Sequence, residues 1–184
     1  MNGHKAMQKA YESILAHDFN QAIAWFEQAV AAAPDHAEYH YRLSISCMRS
    51  SRFAQAAIHA AKAAELDPNN EAYRSHLERL QAKENVEKAQ NLLEEGREKA
   101  YLSILLLKQA VNLDPLSKEA YLLLAMAYAD IQDFCSALEA VTEALKLDPS
   151  NPSGMELKKE YEQQLHQYLK KSWTLKKGKG EINE

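Results

Sequence analysis

Glycine, proline and cysteine are scarce in this chain of 184 residues, with five glycines, five prolines and two cysteines. So few turn formers exclude a turn-rich all-β chain and leave enough for helices joined by short loops. Cys47 and Cys135 stand far apart and belong to no CxxC or CxxxH pattern, so neither a disulfide framework nor a zinc site is expected. Long hydrophobic runs are lacking as well. The opening stretch "MNGHKAMQKAYES" has no apolar signal core, and "AYLLLAMAYA" is too short to span a bilayer. Nor does one sign of charge dominate: a formal charge of −4 gives no global pull toward nucleic acid or anionic membrane. These absences set the expectation of a cytoplasmic protein in a reducing setting, without membrane insertion.

Apolar residues make up 46% and charged residues 26%, enough for a packed core and far from the composition of a disordered chain. Helix-period apolar stripes dominate, and alternating strand patterns are absent. Proline punctuates at Pro34, Pro68, Pro115 and Pro149, with spacings of 34, 47 and 34 residues. The middle spacing is one period plus 13 residues. Three of these prolines sit in a returning phrase, "AAELDPNNEAYRSHL", "AVNLDPLSKEAYLLL" and "ALKLDPSNPSGMEL". Proline cannot continue a helix and drives the preceding residue out of helical geometry. Asp35, Asn70 and Ser117 follow as expected N-caps of the next helix. The phrase is a full stop between helical hairpins.

Small residues recur in register with the prolines. Ala22, Ala56, Ser103 and Ala137 precede them by twelve positions, and Ala29, Ala63, Ala110 and Ala144 by five. Helices approach closely only where side chains are small, so these are the expected crossing points. On these positions the chain resembles the tetratricopeptide repeat (TPR) family, whose unit is a helix-turn-helix of about 34 residues. The fullest match is Lys118–Asn151, with Tyr121, Leu124, Ala125, Tyr128, Phe134, Ala137, Ala144 and Pro149 at signature positions. Ala37–Asn70 matches through Leu43, Ser44, Phe53, Ala56, Ala63 and Pro68, with Cys47 where a larger residue is usual. Gly3–His36 matches in its second half, through Phe19, Ala22, Phe26, Ala29 and Pro34, but carries Lys9 where an apolar residue is expected.

The expected fold is all-α: a TPR-type α-solenoid of stacked helical hairpins with an irregular, elongated third unit and a C-terminal capping helix. Its units are 3–36, 37–70, 71–117 with an insertion, and 118–151, then a cap at 152–172 and a disordered basic tail at 173–184. In 71–95 the apolar residues Tyr73, Leu77 and Leu80 share one face, while Val86, Ala89 and Leu93 lie half a turn round. One long helix using two faces fits this pattern, and so do two helices broken near 83–85. The lack of glycine or proline before Gly96 favours the long helix. In the cap, Leu157, Tyr161, Leu165 and Tyr168 form a single apolar stripe, as the end of a stacked array requires.

No catalytic constellation is present: no phosphate loop, no HExxH and no nucleophile elbow. His36 and His40 flank Glu38, but without a third ligand they read as surface or loop histidines. Glu94 and Glu95 read as a solvated face, and Cys47 and Cys135 as ordinary core or near-turn residues. An enzyme, a small-molecule substrate, a cofactor and a bound metal are therefore not expected. Lys158, Lys159, Lys170, Lys171, Lys176, Lys177 and Lys179 make the C-terminal region locally basic. Without arginine, and with Glu160 and Glu162 interleaved, they give a weak nucleic-acid signal and read as a solubility feature, with contact to an acidic partner as the alternative.

The resemblance implies that the first helix of each pair lines a concave groove. The residues so placed are Met7, Tyr11, Ile14, Tyr41, Arg42, Ile45, Met48, Arg49, His76 and Arg79, with His4, Glu38 and Ser75 beside them. In the last repeat they are Glu119, Leu122, Leu123, Met126 and Asp130. Tyrosine and methionine offer adaptable apolar contact, and arginine offers donors to carboxylates or carbonyls. Some relatives hold the acidic C-terminus of a heat-shock chaperone in a clamp of lysine, asparagine and arginine. Here Met7, Tyr11, Ala72 and His76 stand at clamp positions, so that ligand is not expected. The expected function is a non-enzymatic adaptor holding a peptide or amphipathic helix of a partner protein in the groove. The alternative is a structural module that self-assembles through exposed apolar end faces.

Overall fold

Each of the four periodic prolines lies two residues beyond the end of a helix. The computed structural model describes residues 2–180, with side chains for residues 2–171. Among them are nine α-helices and no strand. These are α1 (Gly3–Leu15), α2 (Phe19–Ala32), α3 (Ala37–Arg49), α4 (Phe53–Leu66) and α5 (Glu71–Glu95), then α6 (Ala100–Leu113), α7 (Lys118–Asp130), α8 (Phe134–Leu147) and α9 (Pro152–Gly180). A single 3-10 turn, Arg97–Lys99, precedes α6. The stretch 71–95 is thus one helix of 25 residues.

The hairpin turns repeat as faithfully as the prolines. His17, Ser51 and Gln132 adopt left-handed backbone, with φ of 60°, 58° and 63°. Each stands two residues before the phenylalanine that opens the second helix of its pair, Phe19, Phe53 or Phe134. Asp18 and Asp133 cap two of these helices, accepting from the N–H of Gln21 and Ser136. Arg52 holds the equivalent place before α4 and makes no side-chain cap. The third unit turns differently. Gly96 takes φ of 142°, open to glycine but strained for other residues, and the 3-10 turn follows.

Of the expected N-caps, Asn70 accepts from Ala72 N at 3.1 Å and Ser117 from Ala120 N at 3.3 Å. Asp35 is not a cap. α3 begins one residue later, with His36 at the N-cap and no side-chain bond there. His36 instead stacks flat on Tyr39, ring centroids 3.9 Å apart.

The chain divides into two compact units, Met1–Gln81 and Ala82–Glu184, with the boundary inside α5. In the first, α1 packs on α2, α2 on α3 and α3 on α4. Its core joins Ile23 and Phe26 of α2 to Leu43 and Cys47 of α3, closed by Ala56, Ala60 and Leu80. In the second, α6 packs on α7, α7 on α8 and α8 on α9, around Leu107, Leu124 and Val141. The eight small crossing residues named above are all buried, none more than 2% exposed. The positions where the sequence removes side-chain bulk are therefore packed inside the protein, as helix crossings require.

Lys9, the apolar position that the first unit lacks, folds its ammonium over the Trp25 ring at 4.3 Å. The aliphatic stem supplies apolar contact and the charge meets the ring face. In the last helix Pro152 takes the first helical position, and Asn151 Oδ1 accepts from Gly154 N at 2.8 Å. Tyr161 is buried, and burial beside Glu160 and Asp130 pushes its phenol up to about 12. Tyr168 is half exposed but meets Phe134 edge-on at 6.3 Å. α9 continues in helical geometry to Gly180, past the residue at which the sequence suggested a cap would end. The last four residues of the expected tail lie outside the described residues.

Candidate functional site

The helical periods of α1 and α3 set one residue row of each beside a common cleft in the first unit. Two cavities open there. One, of about 340 Å³, is apolar at its base, with Tyr11 and Ile14 of α1, Phe19 and Phe26 of α2, and Ile45 of α3. Arg42, Ser46 and Arg49 complete its wall. The other, of about 400 Å³, is more polar and is lined by His4, Met7, Gln8, Tyr11, His36, Glu38 and Tyr39. Tyr11 belongs to both. Its ring stands edge-on to Phe26, centroids 5.8 Å apart and planes at 88°, and it remains 41% exposed. An exposed aromatic ring held by a buried one is a rigid contact surface at low entropic cost.

The charges at this cleft are unevenly matched. Arg42 donates from Nε and Nη2 to Glu38 Oε1 at 3.4 and 3.2 Å, and its guanidinium lies 5.6 Å from the Tyr41 ring centroid. Arg52 donates to Asn20 Oδ1 at 3.0 Å. Arg49 is exposed, and its side chain has no ion pair or hydrogen bond among the described residues. The apolar cavity therefore carries one cation without a counter-charge of its own.

The ten residues expected at the groove do not all line these two cavities. Tyr11, Ile14, Arg42, Ile45 and Arg49 come together around the apolar cavity, and Met7 joins Tyr11 at the other. Met7 is nonetheless only 7% exposed and packs mainly in the core. Met48 is half-buried against the same core. Arg79 is exposed and lines neither cavity. Tyr41 packs between aromatic neighbours, 4.8 Å from the Tyr73 ring centroid and 5.4 Å from that of His76.

His76 lies inside the protein, 1% exposed, rather than on the groove. The Ser44 hydroxyl donates to the Ala56 carbonyl at 2.7 Å, so its oxygen accepts from His76 Nε2–H at 2.8 Å. Burial, then the nearby Arg79 charge, holds this imidazole below its ordinary range and therefore neutral. His40 is likewise not a surface histidine but buried. Its Nε2–H donates to the Pro34 carbonyl at 2.9 Å, leaving Nδ1 to accept from His59 Nδ1–H at 3.0 Å. Burial and the His40 ring lower His59 as well. In the second unit, Leu122 and Leu123 pack against the core, Met126 is exposed, and Asp130 lies 3.7 Å from Arg97.

Phe19 and Phe26 are cavity residues that the sequence marked only as repeat signatures. Their spacing of seven residues puts them on one face of α2, and that is the signal that could have found them. No group of three or more metal-ligating side chains occurs among the described residues, and no described helix is long and apolar enough to cross a membrane.

The tetratricopeptide repeat family matches the chain over residues 16–71 and 78–152, well over half its length. The chain belongs to the TPR family. Comparison with curated proteins finds no significant match. Among solved structures, the TPR chain is similar to MamA of AMB-1, with a TM-score of 0.54, 15% identity, and coverage of 91% of this chain and 85% of that one. It is similar also to MamA from residue 41 onward of Desulfovibrio magneticus RS-1, with TM-score 0.52, 15% identity, and coverage of 94% and 96%. A further MamA crystal structure gives TM-score 0.50 at 19% identity, covering 95% and 94%. Identities this low establish a shared TPR fold and nothing narrower.

Proposed function

We propose that this TPR protein is a non-enzymatic adaptor, acting in the cytoplasm, that binds a peptide or amphipathic helix of a partner protein between α1 and α3. The observation that carries the reading is the pair of adjoining cavities that meet at Tyr11. Protein-interaction scaffolding is the common use of TPR folds, and a cleft with an apolar base and a few polar groups is the usual form of a binding site. The combination of Tyr11, Ile14 and Ile45 with Arg42 and Arg49 offers apolar anchors beside donors for backbone carbonyls or carboxylates. The test is partner capture by wild type and by a double variant, Tyr11→Ala with Arg49→Ala, whose helical content should be unchanged because both residues are exposed. Loss of capture by the double variant is expected; full retention moves the site elsewhere.

Self-assembly is the second reading, favoured by one observation. Tyr101, Leu102 and Leu105 of α6 are 72%, 47% and 53% exposed, an apolar row on a single helix. Light scattering across a concentration series separates the readings: a strict monomer removes this one.

A further inference from the structure

The apolar cavity constrains its occupant more narrowly than the adaptor reading requires. Its volume of about 340 Å³ is at the small end of ligand sites, which suits one bulky side chain better than a whole helix face. Tyr11, Phe26 and Ile45 give it an apolar base without a carboxylate among its lining residues. The two guanidiniums on its wall differ in availability. Arg42 is held by Glu38, whereas Arg49 is exposed and unmatched. A ligand that fills the base therefore meets an uncompensated positive charge at the rim.

We propose that the occupant is a peptide segment in which a bulky apolar side chain is followed or preceded closely by a carboxylate, the apolar group entering the Tyr11–Ile45 cavity and the carboxylate meeting Arg49. This inference rests on the adaptor reading and names its ligand chemistry. A carboxylate on a guanidinium forms paired charge-assisted hydrogen bonds, stronger than neutral ones and specific in direction. Because Arg49 is at the surface, the pair tunes affinity and partner choice, while the apolar anchor supplies most of the binding. Glu38, which holds Arg42, lines the adjoining polar cavity, and its carboxylate disfavours a second acid there.

The test is selection of a random phage-displayed peptide library on the full chain, followed by binding of one synthetic enriched peptide to variants. Enrichment of a large aliphatic or aromatic residue with Asp or Glu within about three positions is expected. That peptide should bind Arg49→Ala about tenfold more weakly than wild type, on the scale of one charge-assisted contact. Arg49→Glu should prefer the analogue whose acid is replaced by lysine. Enriched peptides with the apolar residue but no acid, or indifferent to Arg49→Ala, overturn this inference and leave the adaptor reading standing. Peptides that bind Ile45→Asp as well as wild type, or a library that yields no binder, overturn both. Circular dichroism of Ile45→Asp confirms folding, and the exposed Arg49 variants carry the test if that variant unfolds.

Discussion

Ser44 and His76 are joined by a 2.8 Å hydrogen bond inside the first unit, tying α3 to the first half of α5. The same hydroxyl donates to the Ala56 carbonyl of α4, so one serine links three helices. A small residue at this position allows the helices to approach, and its oxygen receives an N–H that would otherwise be buried unpaired. Ser44→Ala removes both bonds and leaves the imidazole N–H without an acceptor. The expected cost is about 1–3 kcal/mol of stability, measured by chemical denaturation. A change within experimental error would show that the buried ring finds another partner at no cost.

His76 also gives the fold a pH dependence whose sign follows from burial. Its folded-state affinity for protons is lowered, so the folded chain binds fewer protons than the unfolded chain just below the ordinary imidazole value of 6.5. The stability it contributes is fully present above that value and is lost as pH falls through it toward the depressed folded value. His59 acts in the same direction. His76→Asn, which keeps a donor for Ser44 but cannot titrate, is expected to be less stable than wild type at pH 7.5. The gap should narrow as the pH is lowered toward 5. A gap that widens instead would contradict the assignment of a neutral buried ring.

Arg52 breaks a pattern that Asp18 and Asp133 keep. Both aspartates accept from the helix N–H three residues on, and Arg52 cannot. Arg52→Asp is expected to stabilise the protein by about 0.5–1 kcal/mol through the restored cap, less the exposed bond from Arg52 to Asn20. Thermal denaturation reads this directly, and a lowered midpoint would mean that the Asn20 contact matters more than the cap.

Tyr41 and Tyr11 separate folding from binding. Tyr41 packs against Tyr73 and His76, so Tyr41→Ala is expected to cost about 1–3 kcal/mol. Tyr11→Ala, at a ring that is 41% exposed, should cost less, about 0.5–1 kcal/mol for the edge contact with Phe26, while weakening capture of a partner. Equal destabilisation by the two changes would place Tyr11 among the structural residues.

The hairpins were legible in the sequence because their determinants are local. Proline cannot sit inside a helix beyond its first turn, and a small residue once every period marks a crossing. The fate of individual helix faces was less so. His76 shares a register with groove residues, yet the small Ser44 opposite it gives the imidazole both space and an acceptor, and it turns inward. His40 looked like a loop histidine because its partners, Pro34 and His59, lie in other segments of the chain. Asp35 stands one residue after its proline, whereas Asn70 and Ser117 stand two after theirs; α3 starts in the same register as α5 and α7, so the N-cap falls on His36. The long α5 could be read as one helix or two because each half buries a different face.

The measurement that tests the central claim most directly is site-specific photo-crosslinking in the presence of partner protein. A photoreactive phenylalanine derivative is placed at Tyr11, where the two cavities meet, or at Ile58, which is 66% exposed on α4 and lines neither. The account predicts partner adducts from position 11 and none from position 58. Adducts from position 58 alone would contradict it.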